Sequence, residues 1–82
     1  MSLVELTEKI IKNIVSNEEA VTVKEFPSDN ENEIIIEVLV SEADIGKIIG
    51  KNGKVINAIR TIIQESSALK DNKYVKINID KF

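Results

Sequence analysis

Ile45-Gly46-Lys47-Ile48-Ile49-Gly50-Lys51-Asn52-Gly53-Lys54-Val55-Ile56 contains all three glycines of the 82-residue chain. Without a Cβ, Gly50 and Gly53 let the backbone turn at positive φ and let another backbone come close. Apolar residues at helical spacing stand on both sides, so the stretch reads as helix, tight turn, helix. Two readings of the glycines are open at this point. They are C-caps of an ordinary interhelical turn, or they leave room for a phosphodiester, with the amides and dipole of the next helix and Lys47, Lys51 and Lys54 supplying positive charge. Two nucleotide-binding templates fail. A Walker loop needs four residues between its first Gly and Gly-Lys-Ser/Thr, whereas Gly46 and Gly50 enclose three and Lys51 precedes Asn52. A dinucleotide fingerprint needs Gly-x-Gly-x-x-Gly after a strand.

Upstream, Ser41-Glu42-Ala43-Asp44 offers an N-cap with a carboxylate three residues on, so a short helix is expected from there to near Gly50. Downstream, Val55, Ile56, Ala58, Ile59, Ile62 and Ile63 form one broad arc, which predicts a longer helix from Gly53 to about Leu69. Glu33 to Val40 alternates, with Ile34, Ile36, Val38 and Val40 on one face and Ile35 and Leu39 on the other, the pattern of a central strand. Ala20 to Phe26, closed by Pro27, is a shorter strand, and Lys73 to Asp80 a third. Leu3, Leu6, Ile10 and Ile14, with Val4, Ile11 and Val15 beside them, make an opening helix, capped by Ser2 and Glu5 as a capping box.

The order is helix, strand, strand, helix, helix, strand. A short turn should pair the first two strands antiparallel, and the two-helix crossover should pair the second and third parallel. The expectation is one α+β domain over residues 1–82, a three-stranded mixed sheet with its helices on one face and a radius of gyration of roughly 12 Å.

Composition removes most chemistry. With no Cys and no His there is no thiolate, no histidine base and no Cys/His zinc cage. Asp29 to Val40 fails as a calcium loop, having Ile34 in place of Gly and Val40 in place of Glu. Ser41 with Asp44 is explained by capping rather than nucleophilic chemistry. No enzyme, cofactor, metal or small-molecule substrate is expected, and no apolar run approaches the roughly 20 residues of a membrane span. The absence of cysteine agrees with an intracellular, soluble protein.

The net charge of −3 hides an asymmetry. Residues 1–42 set three lysines against ten carboxylates, whereas residues 43–82 set eight cations against four carboxylates, and Ile45 to Gln64 has none. A local basic face attracts phosphates whatever the total charge.

Ile49-Gly50-Lys51-Asn52-Gly53-Lys54-Val55-Ile56 resembles the signature of the K-homology (KH) RNA-binding domains, Ile-Gly-x-x-Gly-x-x-Ile between two helices. The element order is that of the type II KH topology and takes in the whole chain. The run from Gly46 to Thr61, the short length and the opening helix resemble the small bacterial single-KH proteins. The resemblance implies a cytoplasmic RNA-binding protein, an RNA chaperone or post-transcriptional regulator. It also implies work with a larger KH-containing partner and an influence on cell length and envelope growth.

The resemblance implies that Gly50, Lys51, Asn52 and Gly53 clamp about four nucleotides of single-stranded RNA. Asn52 departs from loops carrying two cations, and Lys47 and Lys54 partly compensate. Ile45 and Ile48 are the candidates for base contacts, with Ile49 and Ile56 toward the core. Arg60, about two turns past Gly53, either reaches RNA or pairs with a carboxylate of its own fold. Tyr74 is expected at the core or sheet edge rather than as a base platform. Two further expectations concern partners. The wide apolar arc from Val55 to Ile63 suggests a homodimer or heterodimer, and the rival to RNA binding is a protein-interaction module that docks on a larger partner or the ribosome.

Overall fold

The computed structural model describes residues 2–70 and 72–82. Helix α1 spans Leu3–Lys12 and starts as a capping box, the Ser2 hydroxyl accepting from the Glu5 amide while the Glu5 carboxylate accepts from the Ser2 amide. Its buried side is the four-residue repeat Leu3, Thr7, Ile11 and Val15, while Leu6, Ile10 and Ile14 are only partly buried. Thr7 is tolerated inside because its hydroxyl donates to the Leu3 carbonyl at 2.7 Å.

Strands β1 (Thr22–Pro27), β2 (Glu33–Val40) and β3 (Tyr74–Lys81) form one sheet in the order β1-β2-β3. β1 and β2 pair antiparallel, with Val23 opposite Val38 and Phe26 opposite Ile35. β2 and β3 pair parallel, with Ile34 opposite Val75 and Ile36 opposite Ile77. Ala20 lies in a 3-10 turn, Glu18–Ala20, so β1 starts two residues later than its apolar run suggests. Helices α2 (Ile45–Ile49) and α3 (Lys54–Lys70) complete the order.

The core lies between the helices and one face of the sheet, where Ile34, Ile36, Val38, Val40, Val75 and Ile77 meet Leu3, Ile11, Ile48, Ile56, Ile59 and Ile63. The opposite face of β2 carries Glu33, Ile35, Glu37 and Leu39, none fully buried, so the α+β architecture has two layers.

Asp44 departs from the capping expectation. Ser41 makes no side-chain cap to the backbone, and the helix begins with a 3-10 turn over Glu42–Asp44. The buried Asp44 carboxylate instead reaches the chain leaving α1, accepting from the Ser16 and Asn17 amides at 3.0 Å each and from the Ser41 hydroxyl at 2.9 Å. Lys47 Nζ stands 3.3 Å from the same carboxylate and also donates to Ser16 Oγ. The two backbone N–H bonds, opposed by burial and assisted by Ser41 and Lys47, hold the Asp44 carboxyl well below its usual range.

The α2-to-α3 turn depends on Gly50. Gly50 has φ 74° and ψ 179°, a conformation open essentially to glycine, and a Cβ there would lie 2.8 Å from Val55 Cβ and 2.9 Å from Val55 N. Gly53, at φ 76°, has only Asn57 Nδ2 at 3.7 Å from the same hypothetical atom.

Two stability predictions result. Gly53→Ala should cost about 1 kcal/mol through its φ alone, and Gly50→Ala clearly more, because backbone must also shift; equal midpoints in urea unfolding would refute the close approach. Asp44→Asn should lower the melting temperature at neutral pH. A depressed carboxylate stabilises the fold fully above the ordinary aspartate value of 3.8 and loses that contribution as pH falls below it. The gap between wild type and Asp44→Asn in thermal melts should therefore narrow from pH 7 to pH 2.5.

Candidate nucleic-acid interface

Helix α2 is only five residues long, so Gly50 brings α3 back on it at once. The connecting residues Lys51–Gly53 form a 3-10 turn, with Asn52 in the left-handed region at φ 57°. Asparagine accepts that conformation better than most residues, a local reason for Asn52 where a second cation would otherwise stand. Lys51, Asn52 and Lys54 are exposed and Gly50 and Gly53 partly so, giving a projecting loop at the positive end of the 17-residue α3.

Lys47 is half-exposed but engaged with Asp44 and Ser16, so it faces the end of α1 rather than standing as a free cation at the loop. Ile45 and Ile48 share one side of α2, as their spacing requires, but it is the inner side. Ile48 is 0% exposed and Ile45 is packed against the core. Ile49 is 43% exposed beside Gly50. The expected burial of Ile48 and Ile49 is therefore reversed, because so short a helix packed against α3 buries the residue two before its C-cap glycine rather than the one adjoining it. Ile56 is buried, as expected.

Arg60 does not take a carboxylate partner within the fold, one of its two expected roles. Its guanidinium donates to the Ile77 carbonyl at 3.3 Å and to Asn57 Oδ1 at 3.5 Å, and among the described residues it forms no ion pair. One turn on, Gln64 does what a neighbouring strand would do. It donates to the Lys73 carbonyl at 3.0 Å and accepts from the Val75 amide at 2.8 Å, while Ser67 also donates to the Lys73 carbonyl at 2.8 Å. Since N–H and C=O of one strand residue project to the same side, the Val75 carbonyl and Ile77 amide also face α3.

Between α3 and this outer edge of β3 runs an open groove of about 590 Å³, lined by Arg60, Thr61, Gln64, Glu65 and residues Tyr74 to Asn78. The residues that line it include the cations Arg60 and Lys76 and the carboxylate of Glu65. The sequence signal for Gln64 was its place one helical turn past Arg60, legible only once β3 was known to lie beside that side of α3. Among the described residues no group of three or more acidic side chains is placed to hold a metal ion, and no helix is long and apolar enough to cross a membrane.

Comparison with known proteins follows the same geometry. The family model for the KH domain of KhpA and KhpB matches residues 4–79. The RNA-binding protein KhpA of Clostridium perfringens is 44% identical over 75 residues, covering 92% of this chain and 96% of that protein. KhpA of Thermotoga maritima is 37% identical, covering 92% and 95%, and KhpA of Chlamydia trachomatis is 47% identical, covering 85% and 86%. Among solved structures, Aquifex aeolicus Era bound to GDP and aluminium fluoride superposes with a TM-score of 0.71 at 21% identity, over 98% of this chain and 30% of that one. Era in complex with MgGDPNP and nucleotides 1506–1542 of 16S ribosomal RNA gives 0.67 at 22% identity, over 96% and 29%. The chain thus spans under a third of Era, and at these identities the likeness is one of fold. The family model takes in residues 4–79 and these relatives match along most of their length, so this chain belongs to the KhpA/KhpB family of KH domains.

Proposed function

We propose that this protein binds single-stranded RNA, holding the backbone of about four nucleotides against Gly50, Lys51, Asn52 and Gly53. The observation that carries this reading is the projecting loop itself. Gly50 sets the tight turn against Val55, Gly53 leaves the backbone open to close approach, Lys51 and Lys54 stand exposed beside it, and Ile49 offers an aliphatic surface at the loop's edge. Membership in a family whose relatives are named RNA-binding proteins supports it. The role is that of a cytoplasmic RNA chaperone or post-transcriptional regulator with a bearing on cell shape, and no chemical step is assigned to any residue.

The loop also sets the strength of the contact. With Lys47 engaged by Asp44, the phosphate-facing cations are Lys51, Lys54 and Arg60. About three neutralised phosphates give a log-log salt slope near −2 for a single strand. Contacts this few make a weak binder, for which a second site in a dimer would raise avidity.

A specific feature of α3 supports such pairing. Ala58, Ile62 and Leu69 lie on one exposed stripe, with Ile62 47% and Leu69 91% exposed, apart from the buried Ile56, Ile59 and Ile63. This stripe fits a second copy or the KH domain of a larger, KhpB-like partner.

Fluorescence anisotropy with short single-stranded RNA and matched DNA tests the loop. Wild type should bind RNA with the slope above, and a Lys51→Asp, Asn52→Asp double variant with an unchanged circular dichroism spectrum should lose binding. Equal binding by both proteins would overturn the loop assignment, and no binding by wild type would favour a protein-interaction module. Light scattering at micromolar concentration should give the mass of two chains for wild type and of one chain for Ile62→Lys; a single-chain mass for wild type would remove the homodimer.

A further inference from the structure

We infer that Asn52-Gly53 is a modification site, at which the side-chain amide is lost spontaneously and the loop gains a negative charge that weakens its hold on RNA. The chemistry stands on this chain's own residues, and its consequence for binding rests on the loop reading above. Of the eight asparagines only Asn52 precedes a glycine. The others are followed by Ile, Glu, Ala or Lys, whose side chains crowd the next amide nitrogen. A Cβ at Gly53 would meet only Asn57 Nδ2, at 3.7 Å, so the approach to the Gly53 nitrogen is open. Asn52 is exposed, and among the described residues its side-chain amide has no hydrogen-bond partner to hold it. The Gly53 amide also lies at the positive end of α3, between Lys51 and Lys54 in the chain, surroundings that favour the deprotonated nitrogen.

The step needs no reactant but water. The Gly53 nitrogen gives its proton to hydroxide and forms a bond to Asn52 Cγ. The Cγ–Nδ2 bond breaks, and Nδ2 takes a proton from water and leaves as ammonia, so a five-membered succinimide remains. Water then opens one of the two C–N bonds of that ring. One opening leaves aspartate at position 52, the other isoaspartate, in which the main chain runs through the side-chain carbon, and both carry a new carboxylate. Ring closure requires the loop to leave Asn52 φ 57° and ψ 27° and to release the bond from Gly53 N to the Gly50 carbonyl. That bond is long, 3.3 Å, and a non-glycine residue in the left-handed region is held there at a cost, so the native turn resists opening only weakly. RNA clamped on the loop would keep it closed. Once formed, the carboxylate stands beside Lys51 where a phosphate would lie, and like charges repel. The loop therefore carries a clock that runs in the free protein and slows when RNA is bound.

Wild type and Asn52→Gly, which accepts the left-handed turn and has no amide to lose, are aged in neutral and mildly alkaline buffer with and without saturating oligouridylate, circular dichroism checking the fold. Peptide mapping by mass spectrometry reads conversion at every asparagine, an isoaspartyl methyltransferase reads the isoaspartate, and anion exchange separates the product by its added charge. Asn52 should convert well before the other seven asparagines. Its rate should rise about 10-fold per pH unit, as the fraction of amide anion does, and oligouridylate should slow it. The separated product should bind oligouridylate about 10-fold or more weakly than unaged protein, the effect of a like charge set against a phosphate, while Asn52→Gly should keep its starting affinity through ageing. Conversion at Asn52 no faster than at Asn57 or Asn78 overturns the modification site and leaves the loop reading standing. Rapid conversion that RNA does not slow and that leaves affinity unchanged overturns the loop reading and keeps the modification site.

Discussion

The close approach of Gly50 to the first turn of α3 is the constraint on which the rest of the site depends. A side chain at Gly50 would occupy the space of Val55 and its amide, so only glycine lets α3 follow α2 with four residues between them. That tightness gives the loop its form. Lys51 and Asn52 have no room to fold back between the helices and project outward, and the positive end of α3 lies directly behind them. A longer connection would bring the same residues to the surface without holding them against a helix terminus.

Charge is distributed by the same economy of space. The acidic first half and basic second half meet at Asp44, whose carboxylate joins the chain after α1 to the start of α2. It also draws Lys47 away from the loop. A carboxylate with two backbone donors and a hydroxyl is well satisfied, so the junction persists at neutral pH and leaves Lys51 and Lys54 as the cations that face outward. The stretch from Ile45 to Gln64 lacks acidic residues, yet one of its lysines is already committed by the aspartate just before it.

Much of this was legible in the sequence because it is written in short-range patterns. The capping box at Ser2 and Glu5, the alternation of Glu33 to Val40 and the glycine spacing each involve neighbours a few residues apart, and each appears in the structure. What was not legible depends on contacts across the fold. Asp44 looked like a cap because Ser41 precedes it, and only the chain exit 28 residues earlier shows what it holds. Ile45 and Ile48, the candidates for base contacts, lie three residues apart on the inner side of α2, because periodicity gives the relation between two residues and not the direction their shared face takes. Thr7 stands in the buried stripe of α1 because a local hydroxyl-to-carbonyl bond makes it count as apolar.

The edge of β3 shows why long-range placement matters for what the protein can receive. A free parallel edge is a template for another strand, and here Gln64 fills one hydrogen-bonding position and Arg60 the next with side chains from α3. An added strand would have to displace both. The two side chains that finish the sheet therefore also close its edge to strand addition, which ties the stability of the edge to the placement of α3 beside it.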